Sequence, residues 1–476
     1  MVKKHSSWYV ILIAVAAGVA GLMYGFDTAV ISGAIGFLAE RYELSPAMQG
    51  WVISCVMIGG VLGVAISGFL SDKYGRKNIM FLSAVLFIIS ALGSALATDV
   101  TMLVIARIIG GFGIGFASAL SVTYISECAP PAIRGRLGSL YQLFTIFGIC
   151  ATFYINYGVA NSGSHAWALD EGWRWMLGYG VFPGIIFFIL LFFIPESPRF
   201  LMQKGREKEA YLTLERINGE KVAKQEAKEI KLSIETEKNT SIKQLLKPGL
   251  RMAMGVGIFL ALFNQVIGMN AVTYYGPDIF RSVGFENNTE FLATSIIGSV
   301  QVVFTIVALL LIDKLGRKKL MAVGSSLMAI FMVLIGSVFY FEPANSGPLL
   351  VIFVAGFTAA FCVSMGPIPW IMIPEIFPNH LRGKAVGIAT MFLWGANWAI
   401  GQFTPILINN MGGAFTFWMF AVINAVCFTF VMTIVPETKN KTLEEIGQIW
   451  KLKNKQAIDF NKEITNDYAV QETTGK

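Results

Sequence analysis

Long apolar runs separated by short polar segments dominate the chain. A hydrocarbon core of roughly 30 Å needs about 20 apolar residues per helix, so each long run predicts one membrane span. The fold class is therefore an all-α membrane protein with twelve transmembrane helices. The predicted spans are 8–36, 50–71, 78–97, 100–126, 136–158, 173–194, 251–280, 291–312, 319–341, 348–373, 384–409 and 413–435.

The positions of Lys and Arg predict the orientation. With the N-terminus inside, the outer loops hold only Arg41, Arg174 and Arg281, as expected when basic residues are retained in the cytoplasm. We therefore expect a multi-pass plasma-membrane protein with both termini cytoplasmic. Its predicted parts are a six-helix half (1–198), a cytoplasmic helical linker (199–250), a second six-helix half (251–437) and a cytoplasmic tail (438–476).

Composition narrows the class of function. Hydrophobic residues make up 55% of the chain and charged residues 14%, whereas soluble chains carry about a quarter charged residues. This argues against a soluble enzyme or a nucleic-acid partner. We expect no catalytic residue, cofactor or metal site, because the histidines lie outside the spans and the cysteines form no CxxC pair. The cysteines are Cys55, Cys128, Cys150, Cys362 and Cys427.

The two halves repeat one another. The sequence DKYGRK at 72–77 returns as DKLGRK at 313–318, and PES at 195–197 returns as PET at 436–438. Two parallel halves facing each other favour alternating access, with substrate bound at the midplane between them. Duplication kept for packing alone is the alternative.

Two opposite charges lie inside predicted spans: Asp27 in span 1 and Arg107 in span 4. Intramembrane charges cost several kcal/mol, so they are retained where they have a partner or a function. Arg stays protonated, so a conformational change that parts the pair would increase the affinity of the Asp27 carboxylate for a proton. Proton coupling is the functional interpretation, and a static salt bridge between spans 1 and 4 is the structural one.

Several motifs resemble those of sugar porters of the major facilitator superfamily across residues 8–450. They are GFLSDKYGRK (68–77), PESPR (195–199), QVIGMN (265–270), GPIPW (366–370) and PETK (436–439). Further stretches are most similar to bacterial arabinose:proton symporters: SVTYI (121–125), APPAIR (129–134), ALFNQVIGMN (261–270) and FLWGANWAIGQ (392–402). The resemblance implies proton coupling through Asp27 and Arg107.

Amides and aromatic rings inside the spans suit a sugar, because amides both donate and accept hydrogen bonds and rings offer an apolar platform. An isolated amide could equally be an interhelical hydrogen bond. The resemblance implies sugar contacts at four positions: Gln142, Gln265, Asn270 and Trp370. It also implies that the small Gly366 lets the sugar approach the backbone, and that Tyr24 and Tyr274 line the site. The candidate binding residues are Gln142, Asn264, Gln265, Asn270, Gly366, Trp370, Trp394, Asn397, Tyr24, Tyr274 and Gln301.

Some positions depart from the family pattern. Asn264 stands where Gln is frequent, Gln301 where Asn is frequent, and Leu393 where an amide is frequent, so the pocket is reshaped and the sugar is not fixed. Helix interruptions are expected at Gly276-Pro277 in span 7 and at 366–370 in span 10. Gln265 and Asn270, five residues apart, are expected on neighbouring helix faces.

Charged residues at the inner helix ends form a candidate cytoplasmic gate. Opposite charges there can pair across the bundle and interact with helix dipoles, and the resemblance implies that they close the inner side. The alternative is that the basic residues only set topology. The residues are Asp72, Arg76, Glu127, Arg134, Glu196 and Arg199 in the first half, and Asp313, Arg317, Glu375, Arg382 and Glu437 in the second.

The sequence thus favours proton-coupled uptake of a monosaccharide, with arabinose first and xylose, galactose, glucose or myo-inositol as alternatives. An uncoupled sugar facilitator is the main competing function, and a sugar sensor or drug antiporter fits the short tail and amide-rich spans less well. The expected partners are the sugar, the proton and membrane lipid, and the expected working unit is a monomer.

Overall fold

Helices account for all regular structure in the residues that the computed structural model describes, namely 7–129, 134–237, 244–245, 250–377 and 379–439. Five long helices open the first half. They are α1 Ser7–Arg41, α2 Pro46–Tyr74, α3 Arg76–Ala95, α4 Val100–Cys128 and α5 Arg134–Ala160. The sixth span is segmented into α6 His165–Trp167, a π-helical turn Ala168–Gly172, α7 Trp173–Gly178 and α8 Val181–Phe193.

Three shorter polar helices follow the first half: α9 Pro198–Gln203, α10 Glu207–Asn218 and α11 Glu220–Glu237. They occupy part of the segment predicted as a helical linker. The second half is α12 Leu250–Val266, α13 Met269–Arg281, α14 Thr289–Leu315, α15 Arg317–Phe341, α16 Ser346–Val363, α17 Ile368–Glu375 and α18 Asn379–Thr433. Residues 440–476 of the predicted tail lie outside the described residues.

The twelve predicted spans are confirmed. Eleven stretches in the described part of the chain are long and apolar enough to cross a membrane. The last helix, α18, has 55 residues and breaks at Gly412, where φ is +79°, so it supplies two spans. Only glycine adopts such a conformation without strain, so Gly412 allows α18 to turn between two antiparallel segments.

Besides the segmented sixth span, the seventh and tenth spans are discontinuous, and only one of these two breaks lies where the sequence predicts it. The tenth span is interrupted between Val363 and Ile368, within the predicted region. In the seventh span the prediction of a break at Gly276-Pro277 is wrong, because α13 continues through both residues. The break lies instead at Gly268, whose left-handed φ of +106° separates α12 from α13.

The two halves contact each other mainly at one end of the bundle. There Ser54 Oγ donates to Gln402 Oε1 at 3.1 Å, and Gln402 Nε2 donates to the Ala47 carbonyl at 2.9 Å. Nearby, the rings of Phe37 and Phe291 stack with centroids 6.0 Å apart. These contacts join the first turns of α2 to α18 and the end of α1 to α14. The bundle is therefore closed at this end.

The opposite end, here called the basic end, carries the loops of the two repeated DKxGRK motifs. In both loops a glycine with positive φ receives a carboxylate from a later segment: Glu196 lies at Gly75 and Glu437 at Gly316. Glu196 Oε1 accepts from the backbone N–H of Arg76 at 3.0 Å. Each carboxylate thus satisfies the free N–H groups at the start of α3 or α15, a favourable place for negative charge.

Burial raises the pKa of the Glu196 carboxyl, while backbone N–H donors from Ser197, Lys77 and Arg76 oppose the rise. The partial desolvation of this group shows how tightly the segment after α8 is packed onto the α2–α3 loop. A β-carbon on Gly75 would lie 2.2 Å from Glu196 Oε2, so the glycine is required by space as well as by φ.

Closure at the end opposite the basic loops depends on a close approach at Gly50. A β-carbon there would lie 2.3 Å from the backbone carbonyl oxygen of Gln402, which cannot move without shifting α18. We expect Gly50→Val to destabilise the closed arrangement by about 2 kcal/mol, roughly a thirtyfold change in the equilibrium. Spin labels at residues 43 and 409 should report a longer distance. Gly158→Val, where a β-carbon meets nothing within 4 Å, serves as the control, and unchanged distances in both variants would contradict this interpretation.

The charge pairs at the basic end are unequal in the two halves, which makes a second prediction. The side chains of Arg76 and Glu127 are 6% and 8% exposed, whereas those of Arg317 and Glu375 are 15% and 32% exposed. Removing one partner of a buried pair costs about 3–5 kcal/mol, and of an exposed pair about 1 kcal/mol or less. Arg76→Gln should therefore lower the melting temperature in detergent more than Arg317→Gln. Equal shifts would refute the argument from burial.

Candidate functional site

The two intramembrane charges face each other inside the first half. Arg107 Nη1 on α4 lies 3.8 Å from Asp27 Oδ1 on α1, and Arg107 Nε donates to the Val52 carbonyl of α2 at 3.1 Å. Arg107 is 2% exposed and Asp27 9% exposed. Three helices thus meet at one guanidinium. The ion pair is longer than a direct hydrogen bond, which for N–H···O spans up to roughly 3.2 Å.

A chain of amides crosses the centre of the second half. Asn270 Nδ2 donates to Gln265 Oε1 at 2.6 Å, and Gln265 Nε2 donates to Asn264 Oδ1 at 2.5 Å. Asn264 Nδ2 in turn donates to the carbonyls of Met365 and Gly366. The structure therefore brings four of the candidate binding residues together, on α12, on α13 and in the break between α16 and α17.

The break at Gly268 explains this arrangement. On a continuous helix, residues five apart lie on neighbouring faces, as the sequence pattern predicts for Gln265 and Asn270. The left-handed Gly268 turns α13 relative to α12, so the two amides hydrogen-bond directly. The prediction of neighbouring faces assumed one continuous helix, and the break at Gly268 removes that assumption. The carbonyls freed by the break between α16 and α17 find their donor in Asn264, as membrane depth requires.

Aromatic side chains from both halves meet next to this chain. The rings of Tyr24 on α1 and Trp394 on α18 lie 5.6 Å apart at 59°. Trp394 also packs on α2, where a β-carbon at Gly60 would lie 2.6 Å from its ring. Tyr274 Oη on α13 donates to Asn397 Oδ1 on α18 at 2.8 Å. These contacts form a platform at the junction between the halves.

The remaining candidate binding residues are placed less uniformly. Gln142 on α5 is half-buried, and Gln301 on α14 is 2% exposed. Gln301 Nε2 is buried without a hydrogen-bond partner in the described part of the chain, so it offers a donor. Trp370 on α17 is 40% exposed, in contrast to the buried Trp394. Leu393, which replaces a hydrogen-bonding residue, is buried.

Sequence reasoning missed three polar residues. Asn156 on α5 is 1% exposed and its Nδ2 donates to the carbonyls of Ala29 and Val30, close to Asp27. The hydroxyl of Tyr141 is buried without a partner among the described residues. Glu290, 3% exposed, pairs with Arg281 at 2.8 Å. An amide within a span was the available signal for Asn156, whereas the position of Glu290 just before a predicted span concealed its burial.

In the part of the chain that the structure describes, four ion pairs among the candidate gate residues each join residues of one half. Arg76 Nη1 binds Asp72 at 2.9 Å, and Arg76 Nε binds Glu127 at 3.1 Å. Arg199 lies 3.9 Å from Glu127, and Arg317 binds Glu375 at 3.2 Å. The expectation that such charges pair across the bundle is therefore not met by these pairs. These four pairs hold charges within each half at the basic end, while the halves contact each other at the other end.

The second half has its own gate residues at the basic end. Glu437 accepts from the backbone N–H of Arg317 at 3.1 Å, matching the role of Glu196 in the first half. Thr438 Oγ1 donates to Glu375 at 2.8 Å. Arg382, at the start of α18, is half-buried. The side chains of Arg134 and Asp313 lie outside the described part of the structure.

Comparison with known proteins agrees with this architecture. A family model described as sugar (and other) transporter matches residues 13–450. An arabinose-proton symporter of Bacillus subtilis (strain 168) is 63% identical over 448 residues, which cover 94% of this chain and 96% of that protein. A D-xylose-proton symporter of Escherichia coli (strain K12) is 36% identical over 487 residues, covering 96% and 98%.

A solved structure is similar over nearly the whole fold. The xylose transporter XylE from E. coli, in a partially occluded inward open conformation, matches with a TM-score of 0.83 at 35% identity, covering 92% of this chain and 100% of that one. The twelve spans in two halves, the family model and these relatives together show that the chain belongs to the sugar transporter family of the major facilitator superfamily.

Proposed function

We propose that this chain carries one monosaccharide, L-arabinose, into the cell together with a proton, by alternating access across the plasma membrane. The buried pair of Asp27 and Arg107, 3.8 Å apart, is the observation that carries the proposal. Relatives described as arabinose-proton and D-xylose-proton symporters support the substrate class. The 63% identity to the first of them favours arabinose over xylose.

Proton coupling follows from the chemistry of the pair. A charged Asp27 is held by Arg107, and Arg107 is tied to α2 through the Val52 carbonyl. Protonation of Asp27 removes the attraction between α1 and α4 and leaves Arg107 with its backbone partner. The change biases how α1 packs in the first half. A ligand that binds one conformation better shifts the population by its differential affinity, and here the proton is that ligand.

The sugar site lies between the halves. Its polar part is the amide chain Asn270–Gln265–Asn264, and its apolar part is the pair Tyr24 and Trp394. These three amides hydrogen-bond to one another, so the empty site avoids the free-energy cost of leaving them buried without partners. A sugar hydroxyl replaces these bonds one for one. Trp394 and Tyr24 belong to different halves, so the contacts of a sugar ring bound between them depend on the distance between the halves.

The orientation follows from the basic residues. Placing the basic end in the cytoplasm keeps Lys and Arg inside and puts both termini there. The end closed by Gly50, Ser54 and Gln402 is then the outer end. This arrangement corresponds to an inward-facing state, in which the gate charges pair within each half. We also propose that the monomer is the working unit, because one chain contains both the charge pair and the sugar platform.

External pH in lightly buffered, de-energised proteoliposomes tests the proposed function. Arabinose, xylose, galactose, glucose and myo-inositol are added in turn. We expect arabinose to alkalinise the medium, because each sugar enters with a proton. Sugar entry without alkalinisation would instead establish an uncoupled facilitator. Entry of another sugar with alkalinisation would keep symport and change the substrate.

Asp27→Asn should abolish uphill accumulation while leaving sugar exchange, because the side chain then stays neutral throughout the cycle. The readouts are steady-state accumulation under a proton gradient and counterflow without one. Asp99→Asn is the matched control: Asp99 caps α4 through Met102 N–H at 2.9 Å, and Asn caps equally well. Full accumulation by Asp27→Asn would rule out the proposed role of the pair.

Gln265→Ala should raise the sugar concentration for half-maximal counterflow by about tenfold or more, because Gln265 is the middle member of the amide chain. Asn161→Ala removes an exposed amide at the end of α5 and serves as the control. An unchanged half-maximal concentration in Gln265→Ala would show that the sugar binds elsewhere.

A further inference from the structure

The gap between Asp27 and Arg107 is the starting point. Their nearest atoms are 3.8 Å apart, beyond direct hydrogen bonding, and polar groups separated by more than about 3.5 Å are commonly bridged by water. A cavity of about 10 Å³ lies beside both side chains. This volume corresponds to about one water molecule. All residues that line the cavity belong to the first half. The cavity is separate from the platform formed by Tyr24 and Trp394, neither of which lines it.

The cavity has the polar walls that a bound water needs. Besides Asp27 and Arg107, it is lined by Ser90 and Ser94, which lie one turn apart on α3 and are 5% and 3% exposed. A buried water typically makes two to four hydrogen bonds, and four polar side chains are available here. The apolar walls are Phe26, Val30, Phe87, Ala91, Leu177 and Gly180.

Gly180 limits the size of this cavity. It lies in the turn between α7 and α8 in the sixth span. A β-carbon at Gly180 would lie 3.0 Å from the Phe26 ring and 3.2 Å from the Ala91 β-carbon, two of the cavity walls. Gly178, on the last turn of α7, does not line the cavity, and a β-carbon there would lie 3.3 Å from Ala95.

The cavity lies near one end of α3. Ser94 lies next to the last residue of α3, at the end opposite the basic loops, where Arg174 Nη1 donates to the Ala95 carbonyl at 2.9 Å. Ser94 is therefore the polar wall of the cavity that lies nearest the outer end of α3. Charged or titratable groups face Asp27 from several elements: Arg107 from α4, Cys55 from α2, Tyr24 from α1 and Tyr274 from α13. On α3 the cavity is lined by hydroxyls and apolar groups.

We propose that this cavity binds one water molecule, held by Asp27, Arg107, Ser90 and Ser94, and that this water delivers the coupling proton to Asp27 from the outer end of α3. The proton passes from a hydronium ion at this position to the Asp27 carboxylate, which leaves a neutral carboxyl and a water molecule. The proton thus enters through the first half, whereas the sugar enters between the halves. The inference rests on the proposed symport and assigns its proton route.

Two variants alter the cavity in different ways. Gly180→Ala crowds its walls, and the double variant Ser90→Ala/Ser94→Ala removes its hydroxyls with little change of volume. In proteoliposomes, we expect both to slow sugar-driven proton uptake about ten- to a hundredfold, the loss of one hydrogen bond to a charged group. Counterflow should persist, because exchange keeps Asp27 protonated. Gly178→Ala should behave as the wild type.

The outcomes separate the two proposals. No sugar-driven proton uptake by the wild type would refute symport itself. Proton uptake at the wild-type rate in both cavity variants, with Asp27→Asn uncoupled, would overturn the water site and place the proton route in the central sugar cavity. If Gly180→Ala loses counterflow through misfolding, the double serine variant decides. A high-resolution structure without ordered water between Asp27 and Ser94 would equally overturn the proposal.

Discussion

At membrane depth every backbone N–H and C=O group must find its partner within the protein, and this constraint organises the second half. It explains why the two broken spans of the second half lie side by side. The break between α16 and α17 frees carbonyls, and Asn264 of α12 binds them. The break at Gly268 turns Asn270 back onto Gln265. The amides that satisfy the broken backbone are therefore the same amides that are proposed to bind the sugar. Their donors and acceptors match the chemistry of a sugar hydroxyl.

The duplicated halves cap the N-terminal ends of α3 and α15 in the same way but contain different polar groups in their interiors. Glu196 at Gly75 and Glu437 at Gly316 are equivalent carboxylate caps. Inside, the first half contains the charge pair Asp27 and Arg107, and the second half contains the amide chain. In the proposed symport, protonation acts on one half and the sugar on the contact between both halves. The repeat preserves the basic end, where the halves must move equivalently, and diverges at the centre.

The sequence predicts the spans well because each depends on local apolar length alone. It also identifies Asp27 and Arg107, since a charge within an apolar run is visible without a fold. The break at Gly268 was not predictable in this way: Gly276-Pro277 carries the stronger local signal, yet α13 continues through it. The pairing of gate charges within halves depends on conformation, which a sequence does not specify. Glu290 was missed because burial by a neighbouring helix is a tertiary property.

Tyr24 links the two functional parts of the molecule. It lies three residues before Asp27 on α1, so both side chains move with one helix, and its ring contacts Trp394 of the other half. On an α-helix, residues three apart share a face, so the proposed protonation of Asp27 acts on the same face of α1 that contacts the aromatic platform. Asn156 adds a constraint by binding the Ala29 and Val30 carbonyls. It fixes α1 to α5 just beyond Asp27, so the helix that contains the proposed proton site is joined directly to its neighbour.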